Sequence, residues 1–148
     1  MSVINLTQEE ADYLCKMEKT SVDNKEWELP DLGGKVSIPL ISVDRKENFY
    51  LDISRGKIDL KRQKYQSRAR EAIVLVRLDL GSPHRNPDGE EIGVPHIHYY
   101  REGYGTKWAY ALPQGVFKNI DDAWQILTDF MEYCNIVHTP NFRKGLFT

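Results

Sequence analysis

Cysteine is scarce in this chain: Cys15 and Cys134 are the only two among 148 residues. So few thiols exclude a disulfide scaffold and any zinc module built on cysteine pairs. Long apolar runs are also missing, and none approaches the roughly 20 residues that a bilayer-spanning helix needs. The first residues, MSVINLTQEEADYL, hold no basic stretch followed by an apolar one, so no signal peptide is expected. No internal repeat or low-complexity tract appears, and a single domain over 1–148 is expected. The two thiols read as buried small hydrophobes, each in an amphipathic helix, and the chain as cytoplasmic.

A large charge excess is absent too, with a formal net charge of −2. The balance hides an asymmetry. Arg55, Lys57, Lys61, Arg62, Lys64, Arg68 and Arg70 crowd one segment whose only acid is Asp59. Acids gather instead in the two helix candidates: Glu9, Glu10, Asp12 and Glu18 in the first, Asp121, Asp122, Asp129 and Glu132 in the second. Such a basic middle either draws a polyanion to one face or is a solvated strand pair folded against the acidic helices.

What is present is a fold pattern. Thr7 with Glu10 three residues on predicts a capping box, with Leu6 as a hydrophobic staple and a helix to about Lys19. Residues 20–34 read as irregular, broken by Pro30, Asp31, Gly33 and Gly34, with Trp27 and Leu29 pinning the segment to the core. The period then switches to two. Val36, Ile38 and Leu40 alternate, and so do Phe49, Leu51 and Ile53, which predicts a β-hairpin; Pro39 confines the first strand to an edge or bulge. Ile58 and Leu60 continue a third strand into KRQKYQSRARE. AIVLVRLDL, 72–80, reads as a central strand whose Arg77 must find water, a carboxylate or a ligand. Asn-Pro-Asp-Gly predicts a β-turn inside the 81–95 loop. HIHYYRE and TKWAYAL form two more strands around a glycine turn. A last helix starts near Asn119 as N-cap, and Ile120, Ala123, Trp124, Leu127, Phe130, Met131 and Cys134 give it a broad apolar face. The sum is α+β: a curved, mostly antiparallel sheet of about six strands, curling toward an open barrel, packed by an N-terminal and a C-terminal helix.

Chemistry concentrates in GVPHIHYYREGYGTKWAY, 93–110. Strand alternation puts His96, His98 and Tyr100 on one face and Ile97, Tyr99 and Arg101 on the other. His84 reaches across the loop toward the first face. Three imidazoles suit zinc with an open fourth position. A lone H-x-H on a strand is a weak signal, however, without H-E-x-x-H, a cysteine pair or diagnostic spacing of Glu90, Glu91 and Glu102. The sequence reading therefore assigns no metal and no cofactor. A second reading takes the same residues as a metal-independent ribonuclease. His96 or His98 would be the base, Tyr100 or His84 the acid, and Arg85 with Lys107 would hold the phosphate. A third is a non-catalytic surface where Tyr104, Arg62, Arg68 and Arg77 add stacking and charge for RNA or another polyanion, or for a protein partner. Against all three stands a structural role, with the histidines bonding the 81–95 loop to the sheet.

The segments HRNPDG, HIHYYREGYG and KWAY, within residues 70–136, resemble an uncharacterised family of small bacterial and prophage proteins. The resemblance implies a mobile-element setting, where toxins, antitoxins and inhibitors of host defence are common. It carries over no functional residues. The expectation is a protein that binds a nucleic acid or phosphate-bearing ligand on the His/Tyr/Arg face, with RNA cleavage as an extension. The alternative is a protein-binding inhibitor of host or phage machinery.

Overall fold

Thr7 opens the first helix, α1 (Gln8–Lys16), with the expected reciprocal bonds: its side chain accepts from the Glu10 amide while Glu10 accepts from the Thr7 amide. Such caps contribute about 1 kcal/mol. The structure, a computed structural model, describes residues 5–58 and 62–143. Leu60, Lys61 and Asp59 of the basic segment lie outside the described residues. The helix stops three residues short of its expected end. Lys19 turns inward instead and opens β1 (Lys19–Ser21), followed by the short β2 (Glu26–Trp27).

The alternating segments form the hairpin β3 (Lys35–Ser42) and β4 (Asn48–Arg55), then β5 (Gln63–Ala69) and β6 (Ile73–Asp79). The third strand begins later than expected. Ile58 is 96% exposed and sits in a bend, and the alternation that counts is Gln63, Tyr65, Ser67 and Ala69 facing inward. The 81–95 loop carries its own hairpin, β7 (His84–Arg85) and β8 (Glu91–Ile92). Its turn is Asn86–Gly89, where Gly89 has φ +92° and donates to the Asn86 carbonyl at 2.8 Å. β9 (His96–Tyr99) and β10 (Ala109–Ala111) follow, then α2 (Ala123–Tyr133), β11 (Ile136–His138) and β12 (Asn141–Phe142).

The fold is α+β, with one eight-stranded sheet in the order β10-β9-β6-β5-β4-β3-β1-β11. All its pairings are antiparallel except β1 with β11. The sheet is not closed into a barrel. The expected six strands were short by β1 and β11. Each has three residues, too few for a period to show, and β11 adds a parallel strand from the far end of the chain. Pro39 is tolerated inside β3 because the β1 ladder ends beside it, at Leu40.

α2 also starts later than predicted. Asp122, not Asn119, is the N-cap, and its Oδ1 accepts from the amides of Trp124 and Gln125 at 3.0 and 3.2 Å. Ile120 falls outside the helix and is exposed. Both helices contribute to the core formed with the inner sheet face; Tyr65 meets Phe130 there, ring centroids 6.0 Å apart. The outer face carries half-buried polar residues on β4, β5 and β6, such as Tyr50, Gln66 and Arg77. At the β9–β10 end it is covered by the 81–95 loop, where Asp79, Asn86, His96 and His98 are buried.

Candidate functional site

The ladder registers arrange the outer face into rows. His98 pairs with Arg77, Arg77 with Gln66, and Gln66 with Asp52. One row along, His96 pairs with Asp79, and Asp79 with Lys64. His96, His98, Arg77 and Asp79 thus share one face because two antiparallel strands, each with a period of two, are in register. The covering hairpin β7–β8 adds His84, whose ring centroid lies 4.7 Å from that of His98 and 6.0 Å from that of His96. His96 and His98 stand 4.9 Å apart, edge to face.

Each imidazole spends one nitrogen on a backbone carbonyl. His96 Nδ1 donates to Gly93 at 2.9 Å, His98 Nδ1 to Thr106 at 2.8 Å, and His84 Nε2 to Lys107 at 2.6 Å. A carbonyl oxygen only accepts, so these nitrogens carry the protons and the opposite ring nitrogens present lone pairs. The histidines do hold the loop and turn, as the structural reading expected, yet that role uses half of each ring. Asn86 locks the hairpin down further. Buried beneath it, its amide donates to the Ala109 carbonyl at 3.0 Å and accepts from the Ala109 amide at 2.7 Å.

His96 is 0% and His98 1% exposed. Burial and the neighbouring Arg77 charge push the His98 pKa down to about 4, so its ring is neutral at physiological pH. His96 Nε2 is buried without a hydrogen bond among the described residues and lies 3.8 Å from Asp79 Oδ2. Arg77 Nε is likewise buried without a partner among the described residues.

The structure brings together His84, His96, His98 and Arg77, and separates the rest. Tyr100 does not join the imidazoles. It follows the last ladder pair of β9, and its hydroxyl donates to the Leu6 carbonyl at 3.1 Å and accepts from the Leu6 amide at 2.7 Å, clamping the segment before α1. Arg85 is exposed and paired with Glu91 at 2.6 Å. Arg68 is bound to Asp52 through Nε at 2.8 Å and stacks over Tyr50 at 4.2 Å. Arg62 is exposed beside Gly81, and the exposed Lys107 enters the site through its carbonyl. Tyr104 lies in the turn beyond β9, where Arg101 covers Trp108 at 4.2 Å. Part of the basic segment is neutralised by the sheet itself rather than by the acidic helices: Arg68 by Asp52, Arg70 by Glu47 at 2.8 Å, and Lys64 by Asp79 at 3.8 Å.

Two residues of the cluster escaped the sequence reading, Asp79 and Asn86. Asp79 stands near the end of the apolar run 72–80, where only Arg77 is singled out from the sequence. Pairing 72–80 against the HIH strand in antiparallel register would have set it opposite His96. For Asn86 the sequence carries no signal beyond its turn position.

The match to a family model runs over residues 6–136, from the α1 staple through both helices and into β11. The chain belongs to this family, one of unknown function (DUF6978). No curated protein and no solved structure matches the chain. The family span takes in the whole histidine cluster and its covering hairpin. No helix among the described residues is long and apolar enough to cross a membrane.

Proposed function

We propose that this protein is a non-enzymatic binding module whose outer sheet face takes single-stranded nucleic acid, RNA foremost, in a cytoplasmic setting. One observation carries the reading: Arg77, a half-buried guanidinium at the middle of that face, has no carboxylate partner among the described residues, and its Nε is buried unbonded. An N–H buried without a partner is costly, and the half-exposed end of an unpaired guanidinium suits a phosphate oxygen. Lys64 and Gln66 flank it on β5, and the Tyr50–Arg68 stack supplies an aromatic plane two strands away. Aromatic planes beside basic strands suit unpaired bases.

Cleavage is left out of the proposal. General acid–base work needs side chains within reach of the phosphodiester, whereas His96 and His98 are covered by the loop and the Tyr100 hydroxyl is spent on Leu6. A protein-binding inhibitor would draw on a different feature, the exposed turn where Arg101 lies over Trp108 at 4.2 Å and Tyr104 meets the same Trp108 edge to face. Arginine and aromatic side chains in that arrangement are common interface anchors.

The test is fluorescence anisotropy of labelled single-stranded RNA across a salt series. Binding should weaken linearly on a log–log plot, and Arg77→Ala should lower the slope by about one phosphate contact. Absence of binding at low salt, or a salt slope indifferent to Arg77→Ala, overturns the reading. Arg101→Ala should leave RNA binding intact; loss of binding there would move the ligand to the turn.

A further inference from the structure

We propose that Asp79, His96 and His98 form a binding site for a divalent first-row metal ion, zinc foremost, that staples the base of the 81–95 loop. The inference stands apart from the polyanion reading. Asp79 closes β6 and His96 opens β9, so an ion held by both would tie together the two ends of the loop. Closing a loop by such a clip removes chain entropy from the unfolded state.

Ligand chemistry and geometry agree. One donor atom from each of the three residues falls within 4.8 Å of the other two. Donors around tetrahedral zinc sit roughly 3.3 Å apart, given bonds of about 2.0 Å. The observed 3.8 Å between His96 Nε2 and Asp79 Oδ2 therefore needs only a slight contraction. Two nitrogens with one carboxylate favour zinc and its neighbours over magnesium or calcium, which prefer oxygen.

The supporting bonds are those a metal site requires. His96 and His98 each donate Nδ1–H to a backbone carbonyl, which fixes the ring and leaves Nε2 as the donor. Asp79 is anchored in the same way. Its Oδ1 accepts from the amides of Gly81 and Ser82 at 2.8 and 3.3 Å, and its Oδ2 is the oxygen nearest His96. A direct charged hydrogen bond between Asp79 and His96 would close to about 2.8 Å, so the 3.8 Å spacing is too long for one. What remains is a buried nitrogen, on a residue with no exposure, without a hydrogen-bond partner among the described residues. A metal ion satisfies it.

Burial also decides the role. Asp79 is 5% exposed and the two histidines less, so the site is closed to substrate and structural. The His84 ring lies beside both, its centroid 4.7 Å from that of His98 and 6.0 Å from that of His96. The ion would pin the hairpin that carries His84 and Arg85 onto the sheet edge.

The experiment uses the full, untagged chain, stripped with chelator and titrated with Co2+ and then Zn2+. Ligand-field absorption should saturate at one Co2+ per chain and bleach as Zn2+ displaces it. Zn2+ should raise the melting temperature and slow amide exchange in the 81–95 loop, and chelator should reverse both. His96→Ala and Asp79→Asn should each lose at least about 100-fold in affinity. His138→Ala, on the exposed end of β11, should bind like the parent. Substitution in a buried cluster endangers the fold, so the parent protein carries the decisive arm. Failure of the parent to take up stoichiometric Co2+ or Zn2+ overturns the site, and so does undiminished binding by a folded Asp79→Asn. Because Arg77 is untouched throughout, loss of the metal site leaves the RNA reading standing.

Discussion

The Lys19 ammonium donates to the carbonyl of Cys134 at 2.8 Å, and so joins the C-terminal ends of both helices. The same nitrogen donates to the carbonyls of Met17 at 2.8 Å and Cys15 at 3.1 Å, the last turn and cap of α1. Helix C-termini present carbonyls without partners and carry partial negative charge, so one cation serves two helices. The residue is wholly buried, with its Nζ 4.8 Å from the Phe49 ring centroid.

Lys19→Met keeps the volume and removes the charge. The three carbonyls would be left unbonded in the interior, and the expected cost is about 3 kcal/mol. Urea unfolding followed by circular dichroism measures it. A change near zero would mean that water replaces the ammonium there.

Alkaline pH should destabilise the fold. Burial pushes the Cys15 thiol up to about 11 and the Cys134 thiol up to about 12, from 9.0, and it also raises the Tyr65 and Tyr99 phenols. The folded state keeps protons that the unfolded chain releases, so this stability is complete below pH 9 and is lost as pH climbs through 11 to 12. Lys19, lowered by burial, acts in the opposite sense as pH rises toward 10.5, one base against five acids, since burial raises the Tyr133 phenol as well. The urea midpoint should therefore be lower at about pH 10.5 than at about pH 8. An equal or higher midpoint contradicts the assignment.

Asn86→Ala removes both bonds to Ala109 and leaves a buried amide and carbonyl on β10 unpaired. A loss of about 2 kcal/mol is expected. The damage should be local, with proteolysis inside 81–95 accelerating more than global unfolding does. Uniform acceleration across the chain would show that the hairpin and sheet open together.

Tyr100→Phe keeps the ring and deletes the hydroxyl that holds Leu6. The expected cost is about 1–2 kcal/mol, read in thermal melts, with faster amide exchange at Leu6 and in the first turn of α1. RNA binding should not change. A loss of binding at unchanged stability would return Tyr100 to the ligand face.

Local signals carried most of the elements. The capping box, the Val36–Leu40 and Phe49–Ile53 alternation, the Asn-Pro-Asp-Gly turn and the helical stripe from Ala123 to Cys134 each state a period or a bond within a few residues. Boundaries shifted wherever a side chain found a distant partner, as Lys19 did at Cys134 and Tyr100 at Leu6. The same division runs through the candidate site. Alternation alone set His96 and His98 on one face, because neighbours in a strand are bound by the backbone.

What the sequence determined by itself, then, is the fold class, the strand periods and the histidine pair, all fixed by contacts local to the chain. Only the tertiary structure could put Asp79 opposite His96 and withdraw Tyr100. Those choices depend on which strands pair and in what register. Register is set by the packing of the whole inner face, not by any run of residues that can be read in order.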